Sequence, residues 1–172
     1  MVKLLFLVGL SLLALAGQAN ATVTVINIPS NPIWTDTGIN LSSSTFSISA
    51  SGTWNWGGGS SGPAGDPNGC CLWDDWVPSA NKGSLIGYVG ANPYSAGSGW
   101  FYVGPSLTVS TPTTGKLWLG FNDDQSSGGI GDNSGYVNAS ITTPVPEPEE
   151  WVMMLLGAAM LSFQVKRKKA SL

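Results

Sequence analysis

The residues best suited to chemistry lie in one stretch, Asn122-Asp123-Asp124-Gln125-Ser126-Ser127-Gly128-Gly129-Ile130-Gly131-Asp132-Asn133-Ser134-Gly135, between an apolar run and a run of alternating polarity. Three carboxylates, several amide oxygens and four glycines are gathered there. Calcium takes about six to eight oxygens from carboxylates, amides and backbone carbonyls. Glycines let a chain turn its own carbonyls inward. Three neighbouring carboxylates repel one another unless a cation lies between them. The spacing differs from that of an EF-hand, which ends in a glutamate. The alternative is a solvated hairpin loop of ordinary turn formers with no ligand.

The chain contains no histidine, which removes His-based triads, His metal sites and a His general base. Asp74-Asp75 and Asp123-Asp124 are sequence neighbours. In extended chain such neighbours point to opposite sides, unlike the facing carboxyls of a glycosidase. Asp66 and a loop aspartate could still converge, but with no nucleophile or general-base pattern the chain reads as a non-enzyme. Over residues 22–144 seven aspartates stand against Lys82 and Lys116, a net charge of −5. A nucleic-acid partner would need a basic stripe, and none is present.

The elements that must position these groups have a period of two. Thr22 to Ile28, Phe46 to Ala50, Leu107 to Val109 and Tyr136 to Ile141 alternate in polarity, and Ser84 to Val89, Trp100 to Val103 and Lys116 to Phe121 read as further strands. The Gly- and Ser-rich stretches 57–69 and 123–135 read as loops. Seven or eight short strands within 22–144 predict one all-β domain, a small antiparallel jelly-roll-like β-sandwich. Seven tryptophans in this region argue for a packed core and against disorder. Cys70 and Cys71 are adjacent and cannot staple distant strands; a vicinal disulfide and two free or intermolecularly paired thiols both remain open.

Both ends carry addressing features. Lys3, the apolar run Leu4 to Ala16 and Ala19-Asn20-Ala21 form a secretory signal peptide over residues 1–21; a permanent anchor is the alternative. At the other end, 145–172, Val145-Pro146-Glu147-Pro148 precedes an uncharged stretch 151–165 and the basic run 166–169. The stretch is shorter than the ~20 residues of a full span and needs its flanks. Its basic end fixes the C-terminus inside and residues before Pro146 outside. This order resembles the PEP-CTERM sorting signal of Gram-negative bacteria, with an ordinary single-span anchor as the alternative. The resemblance implies recognition and cleavage by an exosortase, from an inner-membrane-anchored intermediate to the cell surface or the extracellular space.

A second resemblance covers most of the domain. Ala50-Ser51-Gly52-Thr53-Trp54, Gly62-Pro63-Ala64-Gly65-Asp66, Leu85-Ile86-Gly87-Tyr88-Val89-Gly90, Tyr102-Val103-Gly104, Gly115 to Asp123 and Asp132-Asn133-Ser134-Gly135 are, in that order, similar to the PA-IL-type galactose-binding lectin family. The resemblance implies a calcium-bridged sugar site with ligands at the side chains of Asp123, Asp132 and Asn133 and backbone oxygens at Trp56 and near Gly129 or Ile130. The loop is about two residues longer here, which leaves Asp124 as an alternate ligand. The family's sugar-contacting histidine has no counterpart, so galactose specificity does not carry over. Asp66, Asn68 and Trp73 are the candidate sugar contacts. The implied function is calcium-dependent binding of a glycan or exopolysaccharide by an exported protein; a matrix or biofilm component with no small ligand is the alternative. The family tends to oligomerise, but an interface does not follow from that.

Overall fold

Strands occupy more of the chain than the sequence predicts. The computed structural model describes residues 21–69, 74–125, 130–144, 152, 156–157 and 159–160. Its strands are β1 Ala21–Pro29, β2 Trp34–Trp56, β3 Ser60–Ser61, β4 Ala64–Asp66, β5 Lys82–Val89, β6 Phe101–Tyr102, β7 Ser106–Phe121 and β8 Asn133–Pro144. They form an antiparallel sheet in the order β1-β8-β2-β7-β5-β4, with β3 on β2 and β6 on β5.

Two strands differ most from expectation. The 23-residue β2 runs through Gly38 and Ser42 to Thr45, residue types that favour turns, and the 16-residue β7 joins two expected short strands into one. Their pairing slips between Asp36 and Asn40, Leu41 and Ser44, and Ser44 and Phe46. Such irregularities bend a strand and increase its twist. The first limb of β2 pairs Trp34 with Gly120 of β7, and its last limb pairs Ala50 to Trp56 with β8. The sheet therefore turns on itself as a β-sandwich, and Trp54 meets Phe121 edge-on, with centroids 4.5 Å apart and planes at 80°. The supposed loop 57–69 also contains β3 and β4, and residues 133–135 belong to β8. Backbone pairing across the sheet, absent from local composition, overrides the Gly/Ser signal there.

Alternation explains two packed faces. Leu117, Leu119 and Phe121 of β7 and Leu85 of β5 enter the main core with Ile48, Trp54 and Ile141. Ile86 of β5 enters a second cluster with Ile33, Trp34, Trp76, Val77 and Ala80, against which Trp118 packs. Strands covered on both sides must be apolar at odd and even positions alike. Each fully buried Leu or Phe contributes roughly 1.5–3 kcal/mol of transfer free energy. The β unit comprises Thr22–Thr143. Outside it the backbone is helical at Val152, Leu156, Gly157, Ala159 and Met160. Among the described residues no helix is long and apolar enough to cross a membrane.

Candidate functional site

The site is built where β7 ends. Asn122 is fully buried; its Oδ1 accepts from Val77 N at 2.9 Å, and its Nδ2 donates to the carbonyls of Val77 and Asn81, both at 3.1 Å. These bonds tie the segment before β5 to the end of β7 and bring Asp75 and Lys82 against Asp123 and Asp124. Lys82 Nζ lies 2.9 Å from Asp75 Oδ1, 2.6 Å from Asp123 Oδ1 and 2.6 Å from Asp124 Oδ1. Oxygens of the three carboxylates fall within 4.8 Å of one another, the spread a single metal ion could hold. The ammonium group sits among them and acts as a covalently attached cation.

The electrostatics of this cluster are strained by burial. Desolvation pushes the Asp75 carboxyl up to about 6; the hydrogen bond and charge of Lys82 pull it down, and the charges of Asp123 and Asp124 add to the rise. Burial also works against the Lys82 charge, but hydrogen bonds to Asp123, Asp124 and Asp75 outweigh it and hold the amine above its ordinary value. Asp75 Oδ2 has no hydrogen-bond partner among the described residues. Neither Asp75 nor Lys82 was among the candidates read from the sequence. β5 is buried at odd and even positions alike from Lys82 to Gly87, so parity gave no signal, and the burial of Lys82 follows from its tertiary partners.

Of the predicted calcium ligands, Asn133 meets Asp123 on the side away from Lys82. Asp123 Oδ2 accepts from Asn133 Nδ2 at 2.7 Å. Asn133 is buried and pairs with Trp56 across β8 and β2. The exposed Asp132 lies against Gly57, where a Cβ would collide with Asp132 Oδ2. Asn133 thus joins Asp123 to the Trp56 backbone, with Asp132 beside Gly57, while one oxygen each of Asp123 and Asp124 is drawn to Lys82. Asn133 Oδ1 is buried with no partner among the described residues.

Two of the expected sugar contacts, Asp66 and Asn68, lie in the turn beside Lys82. Asp66 pairs with Lys82 across β4 and β5. Its Oδ1 accepts from Asn68 N at 2.9 Å, so part of that carboxylate fixes its own turn. Asn68 is exposed. A Cβ on Gly69 would collide with Lys82 Cβ, so the Asp66 to Gly69 turn covers the lysine stem. Trp73, the Cys70 and Cys71 pair, Gly129, the sorting motif Val145 to Pro148, residues 1–20 of the expected signal peptide and the basic run lie outside the described residues.

No family model matches the sequence, and no curated protein matches it. Among solved structures the chain is similar to one described as "EclA N-terminal domain; PllA-like lectin", with 21% sequence identity and a TM-score of 0.48, over 69% of this chain and 94% of that one.

Proposed function

We propose that the protein is an exported, non-catalytic carbohydrate-binding module in which the corner of Asp123, Asp132, Asn133 and the Trp56 carbonyl takes calcium. The observation that carries this reading is the Asn133 amide, whose Nδ2 meets Asp123 Oδ2 and whose buried Oδ1 has no partner among the described residues. A buried acceptor left unsatisfied costs about 1–3 kcal/mol. A half-turn of the Asn133 amide brings Oδ1 next to the Asp123 carboxylate, an arrangement of two acceptors that a cation stabilises. The donors are all oxygen, as a hard cation requires. Calcium held there supplies open coordination positions for neighbouring hydroxyls of a glycan, with Trp56 and the Asp66 to Asn68 turn at its border. Titration calorimetry of the full-length protein, stripped of metal and then given calcium chloride and a sugar panel, tests this. Heat of calcium binding followed by calcium-dependent sugar binding is expected; neither appearing would sink the reading.

Lys82 favours a second reading, a structural matrix protein with no small ligand. Its ammonium already neutralises part of the acidic cluster from within, so the fold needs no divalent ion there. Unfolding and assembly identical in calcium and in EDTA would favour it. The exported location rests on residues 1–21 and on the order of motif, apolar stretch and basic run in 145–169. An exosortase-type enzyme is the partner that this order implies. Intact mass of the protein recovered from the cell surface checks it: a chain starting at Thr22 and lacking the basic run is expected, and retention of both ends would exclude it.

A further inference from the structure

The second apolar cluster borders a cavity of about 290 Å³ walled by Pro32, Ile33, Trp76, Tyr94, Asp124 and Gln125. We infer that it is a second sugar subsite, independent of calcium, that takes one neutral hexopyranose unit. This deepens the carbohydrate reading above and rests on it for the ligand class.

Four features point to that occupant. First, Trp76 and Tyr94 meet at a right-angled corner, with centroids 5.8 Å apart and planes at 81°, which offers one ring face for the C–H side of a pyranose and a second wall at its edge. Second, Tyr94 is 56% exposed on a turn whose backbone is held. Its backbone N–H donates to Asn92 Oδ1 at 3.0 Å, and Trp100 Nε1 donates to the Pro93 carbonyl at 3.0 Å. A tyrosine ring has two side-chain torsions to fix and loses little entropy on binding.

Third, Trp76 is 7% exposed and its Nε1 has no acceptor among the described residues. A buried indole N–H normally finds one; the nitrogen is itself covered, so a sugar hydroxyl supplies the acceptor only where the Trp76 ring turns its edge into the cavity. Fourth, the polar edge is held by backbone. Gln125 N donates to the Asp74 carbonyl at 2.8 Å and Gln125 Nε2 to the Asp75 carbonyl at 3.1 Å, while Asp75 and Asp124 form a β-bridge. The Asp124 side chain is 28% exposed and accepts hydroxyl donors.

Size and charge narrow the class. The volume of about 290 Å³ falls just below the ~300–1,000 Å³ of small-molecule sites, which leaves room for one ring and no more. A carboxylate in the wall of a domain with net charge −5 repels uronates and favours neutral hexoses.

The test uses full-length protein titrated with methyl β-glucoside, methyl β-galactoside and methyl β-glucuronide, in calcium and in EDTA, followed by tryptophan fluorescence and calorimetry. At least one neutral glycoside should bind in EDTA and the glucuronide should not. Tyr94→Ala should weaken that binding about tenfold, with no change in any calcium-linked rise in unfolding temperature. Gln125→Ala is the second variant and should weaken it too. Absence of neutral-glycoside binding in EDTA, or full affinity in both variants, overturns the subsite. Calcium-dependent binding that ignores Tyr94 would leave the calcium corner standing and remove this inference; Tyr94-dependent binding with no calcium response would do the reverse.

Discussion

Asn133 donates Nδ2 to Asp123 Oδ2 at 2.7 Å, while its own Oδ1 is buried with no partner among the described residues. One half of this amide is thus satisfied by the Asp123 carboxylate, and the other half is the acceptor that the proposed calcium would engage. A ligand that binds only the folded state stabilises it by about 2.7 kcal/mol at a hundredfold excess over Kd. Calcium should therefore raise the unfolding temperature of the parent. Asp132→Ala removes an exposed carboxylate and should abolish that rise while leaving the metal-free unfolding temperature near the parent's. Asn133→Ala should abolish the rise and also lower the baseline by about 1–3 kcal/mol, because Asp123 loses a buried donor. Calcium shifts of equal size in all three proteins would sink this assignment.

Lys82 offers a sharper separation between structure and metal binding. Lys82→Met leaves Asp75, Asp123 and Asp124 buried or partly buried without their shared cation. Removing one partner of a buried ion pair costs about 3–5 kcal/mol. The three carboxylate oxygens lie within 4.8 Å of one another, so the variant gains a vacant position that a divalent ion fits. Denaturant unfolding should show a large loss in EDTA and partial recovery in calcium. A variant as stable as the parent in EDTA would mean that the ion pairs contribute nothing.

The strands at Phe46 to Ala50 and Tyr136 to Ile141 were readable because alternation reports a half-buried face directly, whereas at Thr22 to Ile28 the strand forms with Val23 and Val25 exposed. The first half of β2 was not. Gly38 and Ser42 to Thr45 carry turn chemistry, and their strand geometry comes from pairing with β7 across slipped register, information held 70 or so residues away. The site divides in the same way. Asp123, Asp132 and Asn133 sit in one short segment and are visible as a group of oxygens. Asp75 and Lys82 reach them through the Asn122 bonds to Val77 and Asn81, which no local pattern displays.

Gly83 links the core to the site, and its substitution gives a third expectation. Its φ is +68°, a conformation costly for other residues. Its carbonyl accepts from Trp54 Nε1 at 2.6 Å and from Ser61 Oγ at 2.9 Å, and its N–H donates to the Asn122 carbonyl at 2.7 Å. A Cβ there would stand 2.5 Å from Ser61 Oγ and 3.1 Å from Trp56 Cδ1. Gly83→Ala should destabilise the domain by about 2–4 kcal/mol. Urea unfolding measures this, and a change under about 0.5 kcal/mol would contradict the geometry.

The pH dependence follows from Asp75. Its carboxyl titrates at 3.8 in the unfolded chain and at about 6 in the fold, with burial as the main cause. Between these values the folded state holds a proton that the unfolded state has released. Stability from this group therefore rises as pH falls from about 6 towards 3.8, and above about 6 the ionised, fully buried carboxylate imposes its whole penalty, up to about 3 kcal/mol. Asp123, Asp124 and Lys82 are the charged groups facing it, and the ammonium stays protonated throughout this range. Asp75→Asn keeps an oxygen to accept from Lys82 but has no proton to exchange. The variant should be at least as stable as the parent near neutral pH, and the difference should shrink as pH falls through 6 to 4. Urea unfolding of both proteins across that range measures the difference, which cancels the other carboxylates common to both. A difference that does not vary with pH would show that Asp75 titrates alike in the folded and unfolded states.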